Sequence, residues 1–383
     1  MHFTLIFVAM RTTALLFILS LTCIAVHAQE ENAWTGVGIE NNEMVGKVFK
    51  HTPKFRLPIP DVSSAYELNL VYKTHGTKEW QQRRRFPVLG LGFTYTDYGL
   101  NSIYGKCYGV YPNFQIPLVT GRRLEWTLRM GFGLGYATKR FERAPVYDTL
   151  NNAIGSHINN FTLFSTDLRY HLNTKWDVQL GANFSHMSNA SFTQPNLGIN
   201  MYGAHVGVRY FPDGMNPKHT LHDLKPLKNR WLIEGRLGLA IDGYAAAGGP
   251  AFPVYLADVY VSKRWLSKNK FFAGVDYSYH TSVYAFLRNN EIVPGHEAQN
   301  SYKSAVFVGN EFLMGRFGLI LQLGYYLKNA YLHPPQPYYE KIGTHFYLVQ
   351  QEHGVMKELF LLALLKVHAT EAELVEGGIG VGF

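Results

Sequence analysis

WDVQLGANFSHMS, residues 176–188, reads with a period of two. Its even positions Trp176, Val178, Leu180, Ala182 and Phe184 are apolar, and its odd positions Asp177, Gln179, Gly181, Asn183 and Ser185 are polar or small. Side chains on a β-strand point alternately to its two faces, so this segment is a strand with one greasy and one polar face. The pattern recurs. Leu124, Trp126, Leu128, Met130, Phe132, Leu134 and Tyr136 alternate with Glu125, Thr127, Arg129 and three glycines. Trp231, Ile233, Leu237, Leu239 and Ile241 alternate with Glu234, Arg236, Gly238 and Asp242. Phe317 to Tyr325 repeats it, and so does the last segment, Val375, Ile379, Val381 and Phe383.

These strands run for roughly ten to fourteen residues, longer than the five or six usual in soluble sheets. A tilted strand that crosses a bilayer needs about nine to eleven. Apolar-out, polar-in alternation with aromatics near the strand ends predicts an all-β fold, an antiparallel transmembrane outer-membrane β-barrel. The terminal Phe383 resembles the assembly signal of such barrels. About sixteen strands are read from residue 34 onward; the first, 34–41, is the weakest, so fourteen is the lower count. One long strand is read over 269–288. Short turns near 120–121, 173–174, 267–268 and 315 fall at one end, and the long loops 138–157, 289–300 and 329–339 at the other. Two connections, 75–86 and 212–229, are long yet lie at the short-turn end. The reading favoured is a single barrel of about 14–16 strands. Its alternative is an eight-stranded barrel followed by a second β unit.

The composition fits this pattern. Only 17% of the 383 residues are charged, against roughly a quarter in soluble domains, while Gly (36), Tyr (25) and Phe (25) abound. So bulky a chain is not disordered, and no collagen or heptad repeat is present. A mean hydropathy of −0.10 does not suit a helical membrane protein. Arg11, the apolar run from Thr12 to Val26, and Val26-His27-Ala28 predict a signal peptide over 1–28, cut before Gln29, with Met10 as an alternative start. The exported chain then keeps one cysteine, Cys107, and forms no internal disulfide. The expected location is the bacterial outer membrane. The division expected is 29–211, a connecting segment over 212–229, and C-terminal strands over 230–383.

One strand end carries chemistry. From Asn183 the chain reads NFSHMSNASFTQPNLGIN. His186, Ser188, Asn189 and Ala190, then Gln194, Pro195, Asn196, Gly198 and Ile199, match in type and spacing the signature His-x-Ser-Asn-Ala…Gln-Pro-Asn-x-Gly-Ile. The segment resembles the PagL-type lipid A 3-O-deacylases, also called the acyloxyacyl hydrolase family. The resemblance extends over about residues 34–211. It implies an eight-stranded barrel, His186 as general base, Ser188 as nucleophile and an acid that orients the histidine. The acid's position holds Asn200, a departure from the pattern. An amide can hold an imidazole by accepting its N–H, but it adds no charge to stabilise the imidazolium.

Parity supports the site independently. His186 and Ser188 continue the apolar, outward-facing set of their strand. The next strand, with Tyr202, Ala204, Val206 and Val208 outward, places Asn200 outward too. Residues on paired strands lie within reach of one another. Three polar side chains therefore converge on the outer rim, facing membrane rather than lumen. An oxyanion hole is also required, and Asn189, Ala190 and Asn196 are the candidates.

The expected function is an outer-membrane carboxylic ester hydrolase that removes an ester-linked (3-O) acyl chain from lipid A. The alternative is a non-catalytic barrel, a channel or structural protein, with a degenerate motif. Lipid A or lipopolysaccharide and outer-membrane lipids are the expected partners; no cofactor, metal or nucleic acid is. The run Arg83-Arg84-Arg85 and the net charge of +8 suit anionic lipid head groups, and Lys139, Arg140 and Arg143 fall on the outer side, near lipid A phosphates. His219 and His222 read as solvated loop residues. Inward Glu125, Arg129, Glu234, Arg236 and Asp242 either line a pore or pair across a closed lumen.

Overall fold

The computed structural model describes residues 34–143, 148–224, 230–243, 250–265, 268–369 and 371–383. The expected signal peptide lies outside the described residues. Sixteen strands follow one another. The first eight are β1 (Val37–Phe49), β2 (Ser63–Lys73), β3 (Val88–Asp97), β4 (Lys106–Thr120), β5 (Leu124–Ala137), β6 (Ile158–His171), β7 (Trp176–Ser188) and β8 (Ile199–Tyr210), with a short helix α1 (Glu79–Arg83) between β2 and β3. The second eight are β9 (Trp231–Gly243), β10 (Ala251–Trp265), β11 (Asn269–His280), β12 (Tyr302–Met314), β13 (Phe317–Lys328), β14 (Tyr338–Gln350), β15 (Glu358–His368) and β16 (Glu371–Gly382). A helix α2 (Thr281–Asn289) follows β11. The strand expected over 269–288 therefore stops at His280. Its continuation coils into a helix that buries Val283 and Leu287 beside Ala330 in the outer loops.

The strands close into two antiparallel barrels of eight, not one of sixteen. The alternative reading of an eight-stranded barrel plus a second β unit is the one realised. β8 pairs along its length with β1, from Tyr210↔Ile39 to Asn200↔Phe49, so its edge is already satisfied when the chain reaches β9. β16 likewise pairs back on β9, with Ile379 opposite Leu237.

The inward residues give the physical reason. An eight-stranded barrel is just narrow enough for side chains to fill it, whereas sixteen strands leave an aqueous channel. Arg129 on β5 reaches Glu40 on β1 at 2.8 Å and Glu67 on β2 at 3.0 Å, across the lumen. Arg169 pairs with Glu125 at 3.1 Å. In the second barrel Lys270 on β11 meets Glu358 on β15 at 2.7 Å and Glu234 on β9 at 3.1 Å, and Arg236 meets Asp258 at 2.7 Å. Such pairs can form only if opposite walls are close. Buried ion pairs are poor sources of net stability, but losing one partner strands the other. Arg129→Ala takes the guanidinium from Glu67 and leaves Glu40 to Arg169 and Arg209; we expect a loss of about 3 kcal/mol in urea unfolding of the refolded barrel.

Outward positions keep the apolar set. Leu180 packs beside Leu168 and Val206 on the neighbouring strands, and all three are exposed as a lipid face requires. Trp176 and Tyr210 lie against each other, ring centroids 4.5 Å apart, at the short-turn end. Above the ionic layer the first lumen is apolar, with Tyr111, Phe161, Leu163, Met187 and Met201 in one cluster.

The two long connections that broke the loop rule tie the parts together. The segment after β8 runs back under the first barrel, where Thr220 N–H donates to His75 O at 2.8 Å. His219 stacks on Phe86 at 3.8 Å, and the His222 ring lies 2.6 Å from Gly76 O, so both pack rather than sit free in solvent. Arg84, beside α1, donates to Leu313 O at 3.2 Å and to Asn269 Oδ1 at 3.2 Å on the second barrel. The middle residue of the basic run thus binds protein instead of lipid head groups.

Candidate active site

β7 and β8 run antiparallel with His186 directly opposite Asn200. Ser188 is two residues further along β7, so it shares the face of His186. His186 Nδ1 lies 2.5 Å from Asn200 Oδ1, and His186 Nε2 lies 3.0 Å from Ser188 Oγ. Asn200 Nδ2 lies 2.9 Å from His51 Nδ1. One assignment satisfies every contact. Asn200 Nδ2–H donates to His51, its Oδ1 accepts His186 Nδ1–H, and His186 Nε2 accepts the Ser188 hydroxyl proton. The imidazole is thereby held neutral, in the tautomer with its free lone pair aimed at the serine.

The parity expectation holds with a difference. These side chains leave the outward face of the barrel, but Ser188 is only 4% and Asn200 7% exposed. The hairpin loop 189–198 folds over them, held by loop 138–157. Gly198 N–H donates to Ala153 O at 2.9 Å, and Asn189 Nδ2 donates to Ser156 Oγ at 2.9 Å. Gly198 has φ +77°, and a Cβ there would stand 2.8 Å from His186 Cε1 and 3.3 Å from Ser188 Cβ. A methyl group at 198 therefore costs backbone strain and displaces the imidazole. Gly198→Ala should leave the barrel folded, by its heat-modifiable gel shift, and lower kcat on the order of 100-fold, the usual consequence of misplacing a reacting group by about 1 Å.

A cavity of about 490 Å³ opens over His186 and Ser188. His51, Lys54, Asn196 and Leu197 line it on the near side, and Leu365, Val367 and Ala372 of the second barrel on the far side. Among the three oxyanion candidates only Asn196 lines it. Its Oδ1 accepts Asn189 N–H at 2.9 Å, and its buried Nδ2 has no hydrogen-bond partner. That leaves an unspent amide donor in the same cavity as the nucleophile. The Asn189 backbone N–H goes to Asn196, and its side chain bonds Ser156 and Thr193. Ala190, left-handed at φ 53°, shapes the turn.

His51 went unread in the sequence because the first strand was expected to end at 41. It extends to Phe49, opposite Asn200, and so carries His51 to the site. Arg140 is engaged with Glu142 at 3.1 Å, and Arg143 is exposed at the same end. Among the described residues no cluster of His, Cys, Asp or Glu is placed to hold a metal ion.

Comparison with known proteins bears on both barrels. The family model described as lipid A 3-O-deacylase (PagL) matches residues 64–209, and the model described as acyloxyacyl hydrolase, C-terminal domain, matches residues 232–383. No curated protein matches the chain. Among solved structures, the outer-membrane enzyme PagL is 18% identical, covering 44% of this chain and 97% of its own, with a TM-score of 0.30. Neisserial surface protein A is 11% identical, covering 46% and 97%, with a TM-score of 0.34. The translocator domain of the autotransporter NalP from Neisseria meningitidis is 11% identical, covering 97% of each chain, with a TM-score of 0.18. With the two models together matching well over half of its length, the chain belongs to the PagL-type lipid A 3-O-deacylase (acyloxyacyl hydrolase) family.

Proposed function

We propose that this protein is an outer-membrane esterase that removes the 3-O-acyl chain of lipid A, with Ser188 as nucleophile and His186 as base. The observation that carries it is the unbroken chain Ser188–His186–Asn200 on the membrane-facing side of the rim. A serine hydroxyl is a weak nucleophile until a neighbouring base takes its proton. Here His186 Nε2 accepts that proton as Oγ attacks the ester carbonyl carbon. The carbonyl oxygen becomes an oxyanion, which Asn196 Nδ2–H stabilises. Collapse breaks the bond to the sugar oxygen, which leaves with the proton from His186. Water then attacks the acyl-serine, again giving its proton to His186; the acyl carbon–Oγ bond breaks, Ser188 Oγ takes that proton back, and the fatty acid is freed. Asn200 holds the imidazole throughout.

Depth favours this substrate. From Trp176 to His186 a strand rises about 33 Å, and tilted by about 40° it spans the ~25 Å apolar band of an outer-membrane barrel. The site then sits where the ester bonds of an outer-leaflet lipid lie, and Lys139 and Arg143 are left at that end for head-group phosphates. The alternative of a channel has less to rest on, since buried ion pairs cross both lumens. The test is expression in a Gram-negative host: lipid A should become lighter by one hydroxyacyl chain. An unchanged mass spectrum from a folded, surface-exposed protein would overturn the reading.

A further inference from the structure

We propose that the second barrel is part of the substrate site: the seam between the barrels seats the fatty-acyl chain of the ester lipid, with β15 and the start of β16 as its far wall. This rests on Ser188 being the nucleophile.

On β15, Leu364, Lys366 and His368 point into the second lumen and are buried there. Leu365 and Val367 therefore point outward, a direction that elsewhere on the barrel meets bilayer. Here they face the cavity over Ser188, together with Ala369 and Ala372. Its volume of about 490 Å³ falls within the range of ~300–1,000 Å³ typical of small-molecule sites.

The wall is tied to the first barrel at its outer end, and the second barrel is tied again at the inner end through β12. At the outer end Ser191 Oγ donates to Ala372 O at 2.7 Å, and Lys54 pairs with Glu371 at 2.7 Å. At the inner end Arg84 reaches the carbonyl of Leu313. The Lys54–Glu371 pair is more than half exposed on both sides, so it contributes little to stability. It does set a charged rim above an apolar wall. That gradient is the chemistry of an ester lipid, polar at its head and aliphatic below. β15 ends at His368 and β16 begins at Glu371, so only two residues connect them at the outer end. A lone barrel would offer Ser188 an open bilayer and accept any chain. A second wall sets a limit of size.

The experiment compares p-nitrophenyl butyrate and p-nitrophenyl palmitate on the purified full chain, counting only Ser188-dependent hydrolysis. Val367→Trp and Ala372→Trp fill the seam from the second barrel's side of the cavity. Their folding is checked by heat-modifiability. We expect kcat/KM for the palmitate ester to fall tenfold or more while the butyrate ester changes less than about threefold, since a single methylene in an apolar pocket is worth roughly 10–200-fold. An equal effect on both esters, or none on either, overturns the wall and leaves the nucleophile standing. If no hydrolysis depends on Ser188, the proposed function fails, and the wall is judged by binding. Ser188→Ala is then labelled with a diazirine-bearing palmitoyl ester in phosphatidylethanolamine vesicles. Label concentrated at 365–372, and lost in the Ser188→Ala protein that also carries Val367→Trp, supports the seam. Label spread evenly over the outward rows of both barrels overturns it.

Discussion

Ser188→Ala and His186→Ala are each expected to lower the rate of lipid A deacylation by a factor on the order of 10⁴–10⁶ without loss of the barrel. Removing Ser188 removes the atom that forms the acyl-enzyme. The nearby Ser191 does not stand in for it, because its hydroxyl donates to Ala372 O. Removing His186 leaves Oγ protonated, because the other imidazole of the site, His51, is turned to Asn200 and not to the serine. The two residues act as one device through a 3.0 Å hydrogen bond, so the double variant should be about as slow as either single one. Release of the hydroxyacyl chain, followed by mass spectrometry of lipid A, measures this. A loss of only a few-fold in either variant would remove Ser188 or His186 from the chemistry. Both side chains sit above the ionic layer of the lumen, so folding should be untouched.

Asn200 carries the second large effect. Asn200→Ala deletes the acceptor of His186 Nδ1–H and frees the imidazole to turn or change tautomer. Losing the correct tautomer in a comparable triad costs about 10⁴ in kcat, so a fall on the order of 10²–10⁴ is expected. Asn200→Asp should behave in the opposite sense. It keeps an oxygen at the 2.5 Å position and adds a negative charge that stabilises the imidazolium as it forms. It gives up the donor that Asn200 offers His51, but His51 has a second tautomer with a proton on that nitrogen. We therefore expect kcat at or above that of the natural chain. Full activity in Asn200→Ala, measured on the same lipid A substrate, would refute an orienting role.

The departure at position 200 leaves the orienting position geometrically filled. What changes is electrostatic: the imidazolium is held by a dipole instead of a charge. His51 behind Asn200 fixes which end of that amide faces His186. A carboxylate would need no such partner, because both of its oxygens accept.

Much of the molecule was legible in the linear chain because the signal is local. Alternation between neighbouring residues decides which face a side chain takes, and that is set by the backbone of one strand alone. Strand number, the lipid face, the shared parity of His186, Ser188 and Asn200, and the inward charges all follow from it. Closure does not. Whether β8 pairs with β1 or with β9 depends on which edges meet in space, and the apolar pattern is the same in both cases. The deciding physics is the reach of Arg129 to Glu40 and of Lys270 to Glu358 across narrow lumens, a distance that no one strand contains. The same holds for the site. The sequence by itself placed a serine, a histidine and an amide on one rim. Only the tertiary structure brought His51 behind the amide, left Asn196 Nδ2 unpartnered in the cavity, and set the second barrel's Leu365 and Val367 opposite Ser188, because those approaches join residues far apart in the chain.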